Sequence, residues 1–214
     1  MKNKQILFVS GIDTDVGKTL ATGFYANRLT AQGLTVITQK LVQTGCQGIA
    51  EDIQTHRKIQ KIPLQQWDHN GTTCRYVFGY PCSPHLAAAW EGRQLDLEQL
   101  TADTQTLSSH YDVVLIEGAG GLAVPLNREI TTLDYLARQR YPLILVTSGK
   151  LGSINHTLLS LEVCQRRDIP LQAVIYNQYP QIDPIIETET QRYLQGYLTR
   201  HFPSAEFIMM PICE

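Results

Sequence analysis

Apolar residues fall along this chain in short, unbroken blocks. Between the blocks they recur at the spacing of one face of a helix. Blocks at 5–10, 34–39, 112–117, 143–147, 171–176 and 206–209 are read as strands. They are nearly continuous rather than alternating, as strands covered on both faces should be. Helical patterns lie at 18–32, 84–91, 97–110, 132–140, 153–167 and 184–201. Gly33 stands where a helix C-cap glycine belongs, and Asp96 and Thr131 stand at N-cap positions.

Strand–helix alternation predicts an α/β fold with a mostly parallel sheet and helices on both faces. Ligands of such sheets sit beyond the carboxyl ends of the strands. The stretch 45–83 is the least regular and is read as an excursion over that edge. With no repeat or linker in view, one domain is expected over residues 1–214.

Composition narrows the classes. The chain has 43% hydrophobic and 18% charged residues and a formal charge of −2. That balance offers no basic excess for nucleic-acid phosphates and no basic amphipathic stretch for a membrane surface. No apolar run reaches the ~18 residues of a membrane span. The opening apolar run enters a glycine loop, so it is read as a buried strand rather than a signal peptide. Five cysteines, an odd number without C-x-x-C spacing, fit free thiols in a reducing compartment. A cytoplasmic enzyme is the expectation.

The chemistry sits just after the strands. Gly11-Ile12-Asp13-Thr14-Asp15-Val16-Gly17-Lys18-Thr19 follows a strand and opens a helix. There Gly17 lets the backbone approach a phosphate, and the helix N-terminus favours the anion. Lys18 neutralises phosphate charge, and the Thr19 hydroxyl suits Mg²⁺. Five residues separate Gly11 from Gly17, where the usual loop has about four. An apolar strand ending at Glu117, followed by Gly118-Ala119-Gly120-Gly121, forms the acidic half of such a site. Asp52 offers a second carboxylate; read alone, such a residue is more often a surface acid or a helix cap.

These motifs, in this order, resemble those of the dethiobiotin synthetases. The matching segments are the phosphate loop at 11–19, Lys40-Leu41-Val42-Gln43-Thr44-Gly45, Ser83-Pro84-His85, Glu117 to Gly121, Lys150-Leu151-Gly152-Ser153-Ile154-Asn155-His156, and Asn177 at a strand end. Leu41 stands where the family has Pro, Thr44 where it has Ser, and Gln178 where it often has Asp. Past Cys213 the family usually continues with a short segment over the nucleotide base, and this chain ends at Glu214.

The resemblance implies a P-loop NTPase-like fold. It also implies ATP-driven closure of a cyclic urea from 7,8-diaminononanoate and carbon dioxide, through a carbamate and a carbamic–phosphoric anhydride. Lys18 and Lys40 become the catalytic cations. ATP falls to Asp15, Val16, Gly17, Lys18, Thr19, Leu20, Asp52, Glu117, Gly118, Ala119 and Gly120. The base falls to Asn177, Gln178, Pro211, Ile212 and Cys213, and Mg²⁺ to Thr19, Asp52 and Glu117. The substrate falls to Thr14, Thr44, Lys150, Gly152, Ser153 and Asn155. Residues 152–155 form a helix N-terminus that, by the resemblance, receives the carboxylate across a homodimer interface; an ordinary connection in which Ser153 caps its own helix is the other reading of that segment. His85 and His156 are read as structural. Two rivals share the fold class. A partner-driven switch ATPase has a lysine at the place of Asp13, and an amide-forming ligase needs an extra glutamine-hydrolysing domain.

Overall fold

A computed structural model of the protein describes residues 4–181 and 183–212. The elements follow in the order β1 (Gln5–Gly11), α1 (Lys18–Ala31), β2 (Val36–Lys40), β3 (Gln43–Thr44), α2 (Glu51–Gln60), α3 (Gln66–His69), β4 (Val77–Phe78) and α4 (Pro84–Trp90). They continue with α5 (Leu97–His110), β5 (Val113–Gly121), α6 (Thr132–Gln139), β6 (Leu143–Ser148), α7 (Ser153–Arg166), β7 (Leu171–Asn177), α8 (Pro184–His201) and β8 (Glu206–Met210).

Six strands form one sheet in the order β2-β5-β1-β6-β7-β8, and every pairing is parallel. Successive residues of a strand serve opposite faces. Leu7 and Val9 of β1 join a core with Ala21, Tyr25 and Leu29 of α1. Phe8 joins the other core, with Leu100 and Leu107 of α5, Leu136 of α6 and Leu161 of α7. The sheet is therefore covered on both sides, which is why its strands read as continuous apolar runs. No helix among the described residues is long and apolar enough to cross a membrane.

The expected caps are present. Asp96 accepts from the backbone N–H groups of Glu98 and Gln99. Thr131 and Asp134 form a reciprocal capping box. The C-cap of α1 is Gln32 rather than Gly33; Gly33 follows it at φ +81°, where a left-handed residue ends a helix turn.

Two points add to the sequence reading. The stretch 45–83, the least regular as expected, nonetheless holds α2, α3 and β4, which pairs in parallel with β3 just before the stretch. The buried side of α2 is Ile53, His56 and Arg57, too polar to write an apolar period. Arg57 makes a two-pronged ion pair with Asp68, at 2.9 and 2.8 Å, and donates to Thr38 Oγ1 of β2 at 2.7 Å. This fastens α2 to the sheet. Second, β5 does not stop at Glu117 but runs on to Gly121, opposite Gly11. A Cβ at Gly118 would stand 3.0 Å from the Phe8 ring, so glycine lets β5 continue beside β1.

Candidate active site

The phosphate loop closes between β1 and α1 with Asp15 at φ +56° and Gly17 at φ +93°. Glycine bears that conformation without strain. A Cβ on Gly17 would collide with the Asn177 amide. Lys18 opens α1 and is buried, and its Nζ donates to the Asp13 carbonyl at 2.8 Å, across its own loop. Burial, with the nearby Lys40 charge, pushes the Lys18 ammonium below its ordinary pKa; Glu117, Asp52 and Asp15 oppose that only in part. A lysine so placed gains from an added phosphate charge.

Thr19 follows. Its Oγ1 lies 3.0 Å from Asp52 Oδ1 and 3.1 Å from Glu117 Oε1. Lys40, the last residue of β2, sets Nζ 2.5 Å from Asp52 Oδ2 and 2.8 Å from Glu117 Oε1, and donates to the Gly118 carbonyl at 3.1 Å. Burial alone would drive the Lys40 ammonium down, but the two carboxylates outweigh it and hold its pKa above the ordinary value. Burial would likewise raise Glu117; Lys40 and the His56 hydrogen bond overcome it and hold that carboxyl far below the usual range. Both groups are therefore charged in the folded protein.

These side chains line a cleft of about 830 Å³. Thr14, Asp15, Gly17, Lys18, Thr19, Leu20, Lys40, Thr44, Asp52, Glu117, Ala119, Gly120 and Asn177 all face it. Val16 and Gly118 lie behind its wall: the Val16 carbonyl accepts from Asn177 Nδ2 at 3.1 Å, and Gly118 from Lys40. Gln178, Pro211 and Ile212 do not line it. Cys213 lies outside the described residues. Lys150, Gly152, Ser153 and Asn155 also lie off this cleft. Gly152 caps α7 at φ +93°, without any side-chain capping bond, so Ser153 does not cap its own helix. Ser153 Oγ instead meets Ser148 Oγ at 3.3 Å. His85 Nδ1 pairs with Ser83 Oγ at 3.0 Å, a local contact at the start of α4.

The metal fit can be judged from chemistry. One hydroxyl and two carboxylates form a hard-oxygen set, and Mg²⁺ takes few protein ligands and keeps positions for water and phosphate. Among the described residues no group of three or more His, Cys, Asp or Glu stands ready to hold a metal by itself. The site suits an ion shared with a nucleotide better than an all-protein cage.

Sequence reasoning gave no site role to several lining or contacting residues, Pro81 and Val124 among them. Cys82 and Tyr179 border the cleft, as does Gln43, whose Oε1 accepts from the Asp52 N–H at 3.3 Å. His56 is fully buried, with Nε2 2.7 Å from Glu117 Oε2. One signal existed: Asp52 and His56 are four apart, one turn of a helix, but that helix was not foreseen.

A family model described as an AAA domain matches residues 5–201. The chain is 57% identical over 208 residues to the ATP-dependent dethiobiotin synthetase BioD 2 of Pasteurella multocida (strain Pm70), covering 97% of this chain and 98% of that one. To the protein of the same name from Haemophilus ducreyi (strain 35000HP / ATCC 700724) it is 59% identical, covering 96% and 98%. To the ATP-dependent dethiobiotin synthetase BioD of Chlorobaculum tepidum it is 49% identical, covering 92% and 82%. Among solved structures it is similar to pNOB8 ParA bound to nonspecific DNA, with a TM-score of 0.58, 12% identity and coverage of 99% and 86%. The ParA family ATPase from Chlorobium tepidum TLS gives 0.55, 11%, 100% and 86%. At such identities the likeness concerns the fold alone.

Proposed function

Since the chain belongs to the ATP-dependent dethiobiotin synthetase family, we propose that it carries out that reaction with the residues gathered around Lys40. It is an ATP-dependent cyclo-ligase, and the whole chain acts as one catalytic domain. The carrying observation is the buried Lys40 ammonium, held between Asp52 and Glu117 at the wall of the phosphate cleft.

One amine of 7,8-diaminononanoate adds to carbon dioxide and loses a proton, giving a carbamate. A carbamate oxygen attacks the γ-phosphorus and ADP leaves, forming a carbamic–phosphoric anhydride. The second amine attacks the carbamoyl carbon, phosphate leaves with the bonding pair, and the ureido ring closes. Such chemistry needs positioning and fixed charge more than covalent help. Lys18 grips the β- and γ-phosphates. Lys40 stabilises the anionic charge passing from carbamate to phosphate, and Thr14 and Thr44 border the substrate side. Mg²⁺, when bound by Thr19, Asp52 and Glu117, would supply Lewis-acid neutralisation of the phosphates. Asn177 reads the base, together with Gln178, Pro211 and Ile212.

The substrate's carboxylate is taken by the α7 N-terminus of the partner subunit in a homodimer. Three points support this reading. The phosphate loop already serves ATP, a helix start attracts anions, and Lys150, Gly152, Ser153 and Asn155 lie off the chain's own cleft. The enzyme works on small molecules in the cytoplasm. The switch-ATPase alternative shares the fold, but Asp13 stands where its trans-acting lysine would be, and Lys18 is bonded to that residue's carbonyl.

The test is product formation. The purified protein with ATP, Mg²⁺, bicarbonate and 7,8-diaminononanoate should release ADP and phosphate together with a ureido product seen by mass spectrometry. ATP hydrolysis indifferent to the diamine would overturn the assignment.

A further inference from the structure

We propose that His56 is a positioning residue for Glu117, fixing that carboxylate in the rotation that presents its other oxygen to the nucleotide's metal. The inference rests on the reading of Glu117 as a metal ligand.

The two oxygens of Glu117 have different neighbours. Oε1 lies 3.1 Å from Thr19 Oγ1 and 2.8 Å from Lys40 Nζ, on the cleft side. Oε2 has His56 Nε2 at 2.7 Å, on the side of α2. The side chains of His56 and Glu117 are 0% and 1% exposed, so water does not share the contact. An ionised carboxylate only accepts hydrogen bonds. The imidazole must therefore carry a hydrogen on Nε2 and donate it.

The other ring nitrogen makes the case specific. His56 Nδ1 is buried and has no hydrogen-bond partner among the described residues. A buried polar atom left unpaired is costly, and an apolar side chain would fill the same space without that cost. Among the described residues, the one polar contact of this ring is Glu117. A metal-ligating carboxylate is commonly held in just this way by an outer hydrogen-bond partner.

The backbone gives His56 a firm base. It shares α2 with Asp52, one turn away, so one helix carries a proposed metal ligand and the anchor of another. The next residue, Arg57, ties that helix to Asp68 and to Thr38 of β2. Without His56, Oε2 would be a bare anionic oxygen in a dry space. The carboxylate would then gain by rotating until Lys40 or Thr19 served both oxygens, and Oε1 would leave its place.

Mn²⁺ titrated into the ADP-bound protein and followed by electron paramagnetic resonance reads this without turnover. His56→Leu should weaken Mn²⁺ about 10- to 100-fold, the usual effect of losing such a partner, while metal-free ADP binding stays near wild type. His56→Gln sets an amide N–H close to the place of Nε2 and should restore most of the affinity; His56→Asn is too short and should not. Wild-type Mn²⁺ affinity in His56→Leu, or equal affinities in the Gln and Asn variants, would overturn the proposal. If His56→Leu does not fold, the Gln and Asn pair decides, and a Gln variant that cannot fold counts against the idea. Glu117→Gln separates the two levels: wild-type Mn²⁺ affinity there would sink the metal reading itself.

Discussion

Lys40 and Glu117 are register partners on neighbouring parallel strands, at the carboxyl end of β2 and within β5, and their side chains meet at 2.8 Å. They are 77 residues apart in sequence. Strand pairing alone brings the cation to the carboxylate, so the charge arrangement is as rigid as the sheet. Buried pairs are poor sources of net stability, but breaking one by removing a single partner is expensive. In the function proposed above, this pair serves as preorganised electrostatics for the reaction rather than as a device for stability.

Replacing Lys40 with Ala should lower kcat on the order of 100-fold or more, judged from other electrostatic stabilisers. ATP affinity should change much less. Lys18→Ala should lose nucleotide binding as well, because its charge is needed in the ground state too. Steady-state kinetics alongside equilibrium ATP binding separate the two; an unchanged kcat in Lys40→Ala would remove Lys40 from the mechanism.

In a nucleotide-bound crystal, Thr19, Asp52 and Glu117 should surround one Mg²⁺, directly or through a single water. Even the water-bridged distance stays under about 6 Å. Thr19→Val should raise the Mg²⁺ concentration needed for activity. A metal found beyond that reach of all three side chains would refute the assignment.

The Arg57–Asp68 pair predicts a pH signature in stability. The side chains are 2% and 0% exposed. Burial would raise the Asp68 pKa, but hydrogen bonds from Arg57 and its charge hold it below the ordinary 3.8. Asp68→Asn should cost about 3–5 kcal/mol at neutral pH, as when one member of a buried pair is lost. In acid the unfolded chain takes up the Asp68 proton before the folded one does. The wild-type advantage is therefore full above 3.8 and shrinks as pH falls through the lower native value. Melting curves of both proteins across the acid range check this; a gap that stays constant down that range would contradict it.

Subunit mixing tests the shared substrate site. One inactive variant would carry Lys40→Ala, the other a bulky acidic residue in place of Ser153. If each complete site draws on two chains, mixed dimers regain one working site and part of the activity. Proven subunit exchange without recovery would return the carboxylate site to a single chain.

The six sheet strands were legible to within a residue or two, except for β5, which continues four residues past Glu117. Strands buried on both faces must be apolar throughout, so they announce themselves. That the phosphate loop and Glu117 meet at one cleft was legible because a glycine loop and a carboxylate each follow an apolar strand. The helix α2 was not, because its buried positions are His56, Arg57 and one isoleucine, Ile53, held by polar bonds that leave no period. His56 could not be paired with Glu117, 61 residues away, before that helix was known. The β3 and β4 strands are two residues each, too short for any pattern.

The Asn177 side chain bonds to two separate segments of the fold. Its Nδ2 holds the Val16 carbonyl of the phosphate loop at 3.1 Å, and its Oδ1 accepts from the Tyr179 N–H at 3.0 Å. It thus acts as a rivet between the end of β7 and a loop that leaves β1, with β6 between them. If Asn177 reads the base as proposed, a nucleotide that tugs on this amide tugs on the phosphate cradle too. Recognition of the wrong base would then loosen the grip on the reacting phosphates, and discrimination between nucleotides would register in turnover as well as in binding.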